Sequence, residues 1–267
     1  MKKTTIVLFW TLAVIITLGA SIYQRKTGPT LPKKISVELN NKDYILSFPR
    51  SASEGENSIT LNIADTNINA KLYYRKYPTN DEYTELEFKR KGNNLLALLP
   101  IQPKAGKLEY YVRVNNRTLF QNEPLIVRFK GNVPLGVLIP HIILMFISML
   151  FASYGLILSI ANKPNIKRYL VLTIISLVIG GFIFGPIVQK YAFGVYWSGF
   201  PFGYDLTDNK TLIALVFLLL ALPFLKRKML RYVAMIAFVV MISIFCIPHS
   251  LRGSELNTKT GVVESGR

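Results

Sequence analysis

The residues able to do chemistry in the apolar half of this chain are few, and they gather at a small number of places. Asp205 and Asp208 lie three apart and are followed by Lys210. They close a stretch, residues 196–210 (YWSGFPFGYDLTDNK), that also holds Trp197. The chain has two histidines, His141 and His249, and each follows a proline, Pro140 and Pro248. Just beyond His249 come Arg252 and Glu255, charges of opposite sign around a glycine. Carboxylates facing a cavity would bind a cation or a substrate amine. Imidazoles would bind a metal or a haem, with Asp205 or Asp208 as neighbours and Arg252 on an anion.

Each of these residues also has a structural reading. Asp205 as the N-cap of a helix and Asp208 in its first turn would satisfy free backbone N–H groups and suit the positive helix end. That reading is sufficient for the aspartates and is the one expected here. His141 falls about 10 Å into an apolar helix at the helical rise per residue. An ionisable residue at such depth is a functional candidate, while a neutral histidine bonded to a neighbouring helix asks less. Pro140 removes a hydrogen bond one turn earlier and predicts a kink. Trp197, Phe200, Phe202 and Tyr204 read as an interfacial aromatic belt, with Pro201 and Gly203 holding the stretch out of regular helix.

The elements that must position these groups follow from the apolar runs. Hydrophobic residues make up 51% of the 267 residues, in runs long enough to cross a bilayer, which points to an integral membrane protein. Residues 1–22 read as an N-terminal transmembrane anchor or a signal segment, with Lys2 and Lys3 ahead of the apolar run; the anchor is the favoured reading, and Gly19-Ala20-Ser21 would permit cleavage. Residues 133–249 read as four further spans, and residues 250–267 as a polar tail. The net charge of +17 is concentrated, in the membrane part, at Lys163, Lys167 and Arg168 and at Lys226, Arg227, Lys228 and Arg231. Basic clusters beside apolar helices set topology, and nucleic acid is rejected as a main partner. An outward first segment puts both clusters in the cytoplasm. The stretch 196–210, His249 and the tail then fall on the outer face. Gly180, Gly181 and Gly185 are spaced for close helix packing.

Residues 32–130 have another character: short alternating segments separated by turn signals. Segments 35–39, 44–48, 58–63, 70–75, 85–89, 95–99, 108–114 and 125–129 predict half-buried strands, and that number in about 100 residues suggests a β-sandwich. Cys246, the single cysteine, excludes an intramolecular disulfide and any multi-cysteine metal site, so this region folds on its apolar core.

The run Leu99-Pro-Ile-Gln-Pro-Lys-Ala-Gly106-Lys-Leu-Glu-Tyr110-Tyr-Val-Arg-Val114 resembles the late-strand region of fibronectin type III or immunoglobulin-like domains. Ala70-Lys-Leu-Tyr-Tyr-Arg75 resembles a central strand of the same fold. The resemblance implies a turn feeding a tyrosine-rich strand and a tyrosine hydroxyl that pins the corner. It also implies a domain that binds or spaces other molecules, and it implies no catalysis.

The expected fold is therefore mixed: an extracytoplasmic β-sandwich joined to a four-span helical membrane bundle, preceded by an anchor helix. No P-loop, G-x-G-x-x-G, G-x-S-x-G or H-E-x-x-H motif is present. The expected function is a plasma (bacterial inner) membrane protein in contact with lipid, whose outer domain docks a protein or ligand. The alternatives are a metal- or haem-dependent membrane oxidoreductase built on His141 and His249, and a small-solute transporter using Asp205 and Asp208.

Overall fold

The computed structural model describes residues 1–249 and 253–265. A β-sheet region over residues 33–130 is set between an N-terminal helix and a group of apolar helices. Its strands are β1 (Lys33–Leu39), β2 (Lys42–Phe48), β3 (Ser51–Ser53), β4 (Ser58–Asn62), β5 (Ala70–Lys76) and β6 (Thr84–Glu87). They continue with β7 (Lys89–Lys91), β8 (Asn94–Leu98), β9 (Lys107–Val114), β10 (Arg117–Leu119) and β11 (Leu125–Lys130). One sheet runs β3–β11–β9–β5–β6, with β10 paired to β9, and a second runs β4–β8–β7. Strands β1 and β2 make a separate hairpin.

Alternation explains the core. Ile59 and Leu61 of β4, Leu95 and Ala97 of β8, and Leu108, Tyr110, Val112 and Val114 of β9 all point into one apolar cluster. Each large aliphatic side chain fully buried this way contributes about 1.5–3 kcal/mol. Every one of the eight expected strands is present. The segment 85–89 is broken, however, into β6 and β7, which belong to different sheets. The break falls at buried Phe88, whose N–H bonds the carbonyl of Ala70 at 3.1 Å.

Tyr110 ties β9 to the chain at the end of β2. Its ring is fully buried and its hydroxyl donates to the carbonyl of Pro49 at 2.7 Å, on the link between β2 and β3. A buried phenol needs an acceptor, and the chain crossing above it supplies one.

The helices are α1 (Lys3–Lys26), α2 (Leu135–Ile160), α3 (Ile166–Leu177), a π-helical turn at Val178–Phe184, α4 (Gly185–Phe193), α5 (Leu206–Leu220) and α6 (Leu230–Cys246). Four segments are long and apolar enough to cross a membrane: Lys3–Lys26, Leu135–Ile160, Ile166–Phe193 and Leu206–Phe224. The last apolar helix, α6, has only 17 residues. At 1.5 Å per residue that is about 26 Å, slightly less than a hydrocarbon core. Helix α2 runs unbroken through Pro140.

Helix α1 packs as a member of the bundle. Trp10 stacks on Tyr154 of α2 with centroids 4.1 Å apart and meets Tyr169 of α3 edge-on at 5.9 Å. At the far end of α1, Gln24 donates to the carbonyl of Ile247, just past α6, at 3.1 Å. Two of the three glycines pack closely, whereas a Cβ on Gly185 would meet nothing nearer than 3.6 Å. A Cβ on Gly180 would lie 2.8 Å from Cβ of Leu144, and one on Gly181 would lie 2.9 Å from the Thr211 methyl.

Chain direction places the two basic loops at one end of the bundle. There Arg231 donates to the carbonyls of Ser159 (2.8 Å) and Ile160 (3.1 Å), the uncapped C-terminal carbonyls of α2. The other end carries the β-sheet region, the loop between α4 and α5, and a C-terminal hairpin of β12 (Ser254–Leu256) and β13 (Val263–Ser265). The segment read from sequence as a polar tail is thus partly a strand pair.

Candidate functional site

The polar residues of the apolar half meet where the β-sheet region seats on the bundle. Asp205 is the N-cap of α5, as its sequence position suggested: Oδ1 accepts from the N–H of Thr207 (2.8 Å) and of Asp208 (3.4 Å). Its Oδ2 does something the sequence did not indicate. It accepts from the N–H of Ser254 (2.8 Å) and the Ser254 hydroxyl (3.0 Å), so the C-terminal hairpin is tied to the head of α5. Asp208, one turn on, accepts through Oδ2 from the N–H of Ser198 (2.7 Å), the N–H of Gly199 (3.1 Å) and Nε2 of Gln189 (3.1 Å). The Ser198 and Ser254 hydroxyls lie 2.8 Å apart and close the network. Both carboxylates are buried, at 4% and 7% exposure, and hold together α4, α5, the intervening loop and the tail.

Lys210, also buried, donates to the carbonyl of Ile247 at 2.7 Å and so closes the C-terminal end of α6. Glu255 pairs with Lys107 of β9 at 2.7 Å, which fixes the hairpin to the sheet. The hairpin is further held by the N–H of Leu256 on the carbonyl of Ala105 at 3.1 Å. Arg252 lies outside the described residues. Trp197 donates to the carbonyl of Phe200 at 3.1 Å and stacks near Phe182 at 5.6 Å. Its neighbours Phe200, Phe202 and Tyr204 are exposed, the arrangement expected of an interfacial belt.

Above this network sits Arg128 of β11, which the sequence reading passed over. Its guanidinium stacks on the ring of Phe193 at 4.0 Å and donates through Nη2 to the carbonyl of Ser254. Only 7% of the residue is exposed, and its Nε has no hydrogen-bond partner among the described residues. Burial pulls its pKa down to about 10, against the opposing pull of Asp205 and Glu255, so the group keeps its charge at neutral pH. Gly253 lies so close that a Cβ there would meet Nη1 of Arg128 at 2.7 Å.

Between these groups lies a cavity of about 150 Å3, lined by residues that include Arg128, His141, Gln189, Trp197, Asp205, Asp208 and His249. The two histidines therefore do share a cavity. His141 bonds the carbonyl of Gly180 through Nδ1 at 2.8 Å. That carbonyl also receives the N–H of Gly185 across the π turn, so the histidine uses its second lone pair. This is the neighbouring-helix bond that the structural reading expected. Among the described residues, no group of three or more His, Cys, Asp or Glu side chains is arranged to hold a metal ion.

The outward face of the larger sheet continues upward from Arg128 and Lys107. Cross-strand partners there are Tyr73 with Tyr111, Arg75 with Glu109 and Lys71 with Arg113. Tyr73 and Tyr111 are stacked at 4.8 Å, Tyr83 meets Tyr111 edge-on at 4.9 Å, and Arg75 lies over Tyr83 at 4.5 Å. Glu85 bonds both Lys71 and the Tyr73 hydroxyl, and these bonds hold its carboxyl below the usual range. The foot of this face is covered by the C-terminal hairpin and its upper part is not. No protein-family model and no curated protein matches the chain.

Proposed function

We propose that this is a multi-pass plasma-membrane protein whose immunoglobulin-like domain, on the outer side, binds a protein partner through the tyrosine-bearing face of its larger sheet. The strand order supports the domain type. The sheets β11–β9–β5–β6 and β4–β8–β7 correspond to the G-F-C-C′ and B-E-D arrangement of immunoglobulin-like sandwiches. The sidedness is supported by the two basic loops, which share the end of the bundle opposite the β-domain. In this reading α6 is the fifth crossing and α1 a retained anchor, its aromatic packing on α2 and α3 favouring retention.

The observation that carries the proposal is the array of Tyr73, Tyr83, Tyr111 and Arg75 on a face that nothing described in the chain covers. Tyrosine and arginine are the residue types enriched where partners supply binding energy, and here they are held rigid by stacking before any partner arrives. The cross-strand charges around them, Lys71, Arg113, Glu85 and Glu87, form a polar rim of both signs.

A photoreactive phenylalanine at position 111 in cells is expected to give a discrete adduct heavier than the chain itself. The same group at Thr60, exposed on β4 of the opposite sheet, is expected to give none. Absence of an adduct at 111, or the same adduct at both positions, would remove the docking reading.

A further inference from the structure

We propose that the end of the bundle opposite the β-domain binds the headgroup of an anionic phospholipid. Helices α1, α3 and α6 all begin at this end, and Ile166 of α3 is shared by the two apolar clusters that close it. One cluster includes Phe9, Trp10 and Leu158, the other Leu222, Leu225 and Leu230. The loops around Ile166 bring together Lys167, Arg168, Lys226, Arg227 and Lys228, all exposed, and the start of α1 adds Lys2 and Lys3. Arg231 is engaged elsewhere, on the carbonyls that end α2. No carboxylate opposes these cations. Segments 1–37, 124–204 and 209–254 contain neither Asp nor Glu. Every acidic side chain therefore belongs to the β-domain, the head of α5 or the C-terminal hairpin, at the other end. Cations gathered without counter-charge repel one another, and a bound anion relieves that repulsion.

The backbone adds to the same field. Among the described residues, no side chain caps the start of α1, α3 or α6, and none of the three has an acidic residue in its first turn. Helix α5, which starts at the opposite end, has Asp205 and Asp208 in those places. Free N–H groups and positive helix ends thus face the same side as the cations, an arrangement that suits a phosphate. Setting topology accounts for basic loops on one side of a membrane, but it does not require uncapped helix starts beside them. Apolar surface next to the cations favours a lipid over a soluble anion. Ile160 at the end of α2, and Met229 and Tyr232 at the start of α6, are all largely exposed. A phosphate among the cations and acyl chains along these side chains match the two halves of one amphiphile.

The test is electron paramagnetic resonance of the full chain in phosphatidylcholine vesicles carrying a trace of spin-labelled lipid, which reads the fraction of label held at the protein surface. Phosphatidylglycerol is expected to associate at least about 5-fold more strongly than phosphatidylcholine, the effect of one cation near an anionic headgroup. Lys226→Gln, Arg227→Gln and Lys228→Gln combined are expected to bring that preference below about 2-fold. Lys33→Gln with Lys34→Gln, exposed in the β-domain, is expected to leave it unchanged. Should the triple variant fail to insert, a photoactivatable phosphatidylglycerol on the unaltered chain is expected to crosslink within residues 160–169 and 226–232. Replacing chloride by inorganic phosphate at equal ionic strength is expected to leave the preference in place. Equal association of the two lipids, which would leave the cations to an acidic protein, would overturn the proposal. So would a preference that the triple variant retains, or crosslinks confined to the other end. Loss of the preference in phosphate would assign the site to a free anion and overturn it too.

Discussion

Replacing Asp208 by alanine is expected to cost about 3 kcal/mol, read as a clear fall in the apparent Tm of the detergent-solubilised protein. The reason is the number of donors that converge on one oxygen. Oδ2 of Asp208 receives the N–H groups of Ser198 and Gly199 and the amide of Gln189, all in a buried setting. Alanine removes the shared acceptor of two buried backbone N–H groups, which is the expensive way to lose a hydrogen bond, while the Gln189 amide keeps the Ser198 hydroxyl at 2.7 Å. Asparagine, which can present its carbonyl oxygen at the same position, should cost roughly half as much. The exposed Glu54→Ala is the control and should stay within about 0.5 kcal/mol. An alanine variant as stable as the control would mean that Asp208 does not hold the loop between α4 and α5.

Gly155→Val is expected to be similarly damaging, by about 3 kcal/mol, for the opposite reason. A Cβ at Gly155 of α2 would stand 2.5 Å from Cζ and 2.6 Å from Cε2 of Phe238 on α6. Phe238 is fully buried among Ala152, Leu218 and Met241, so its ring has nowhere to go. Close packing in the interior converts a small added volume into off-rotamer side chains or separated helices. The pairing is specific, and Phe238→Leu in the same chain restores the volume. The double variant is expected to recover most of the lost Tm, a strong departure from additivity. Equal damage in the single and double variants would contradict the direct α2–α6 contact.

What could be read from the sequence was what is encoded locally. Alternation located all eight expected strands because one face of each is buried by the same core. The cap at Asp205 was legible because donor and acceptor lie within three residues of each other. The division of segment 85–89 between two sheets was not legible, since the alternation continues across Phe88 while the pairing partner changes. Strands β3 and β10 are three residues long and leave no period to detect.

The grouping of polar residues at this junction was partly legible. His141, His249, Asp205 and Asp208 do line one cavity, and their types and positions pointed there. Arg128 was missed because its burial depends on Ser254 and Phe193, distant in sequence, and a lone arginine in the strand LIVRFK reads as an outward residue. Ser198, Ser254 and Gln189 were missed for the same reason: nothing local distinguishes a serine that closes a buried network. Lys210 and Glu255, also expected as site groups, bond the end of α6 and Lys107 of β9 respectively.

That the β-domain and the junction beneath it lie outside the cytoplasm is tested most directly by labelling single cysteines in intact cells with a membrane-impermeant maleimide. In a Cys246→Ser background, Glu54→Cys in the β-domain is expected to label from outside. Lys163→Cys in the first basic loop is expected to label only after permeabilisation. External labelling of Lys163→Cys, with Glu54→Cys protected until the membrane is opened, would reverse the topology and contradict an outer-face site.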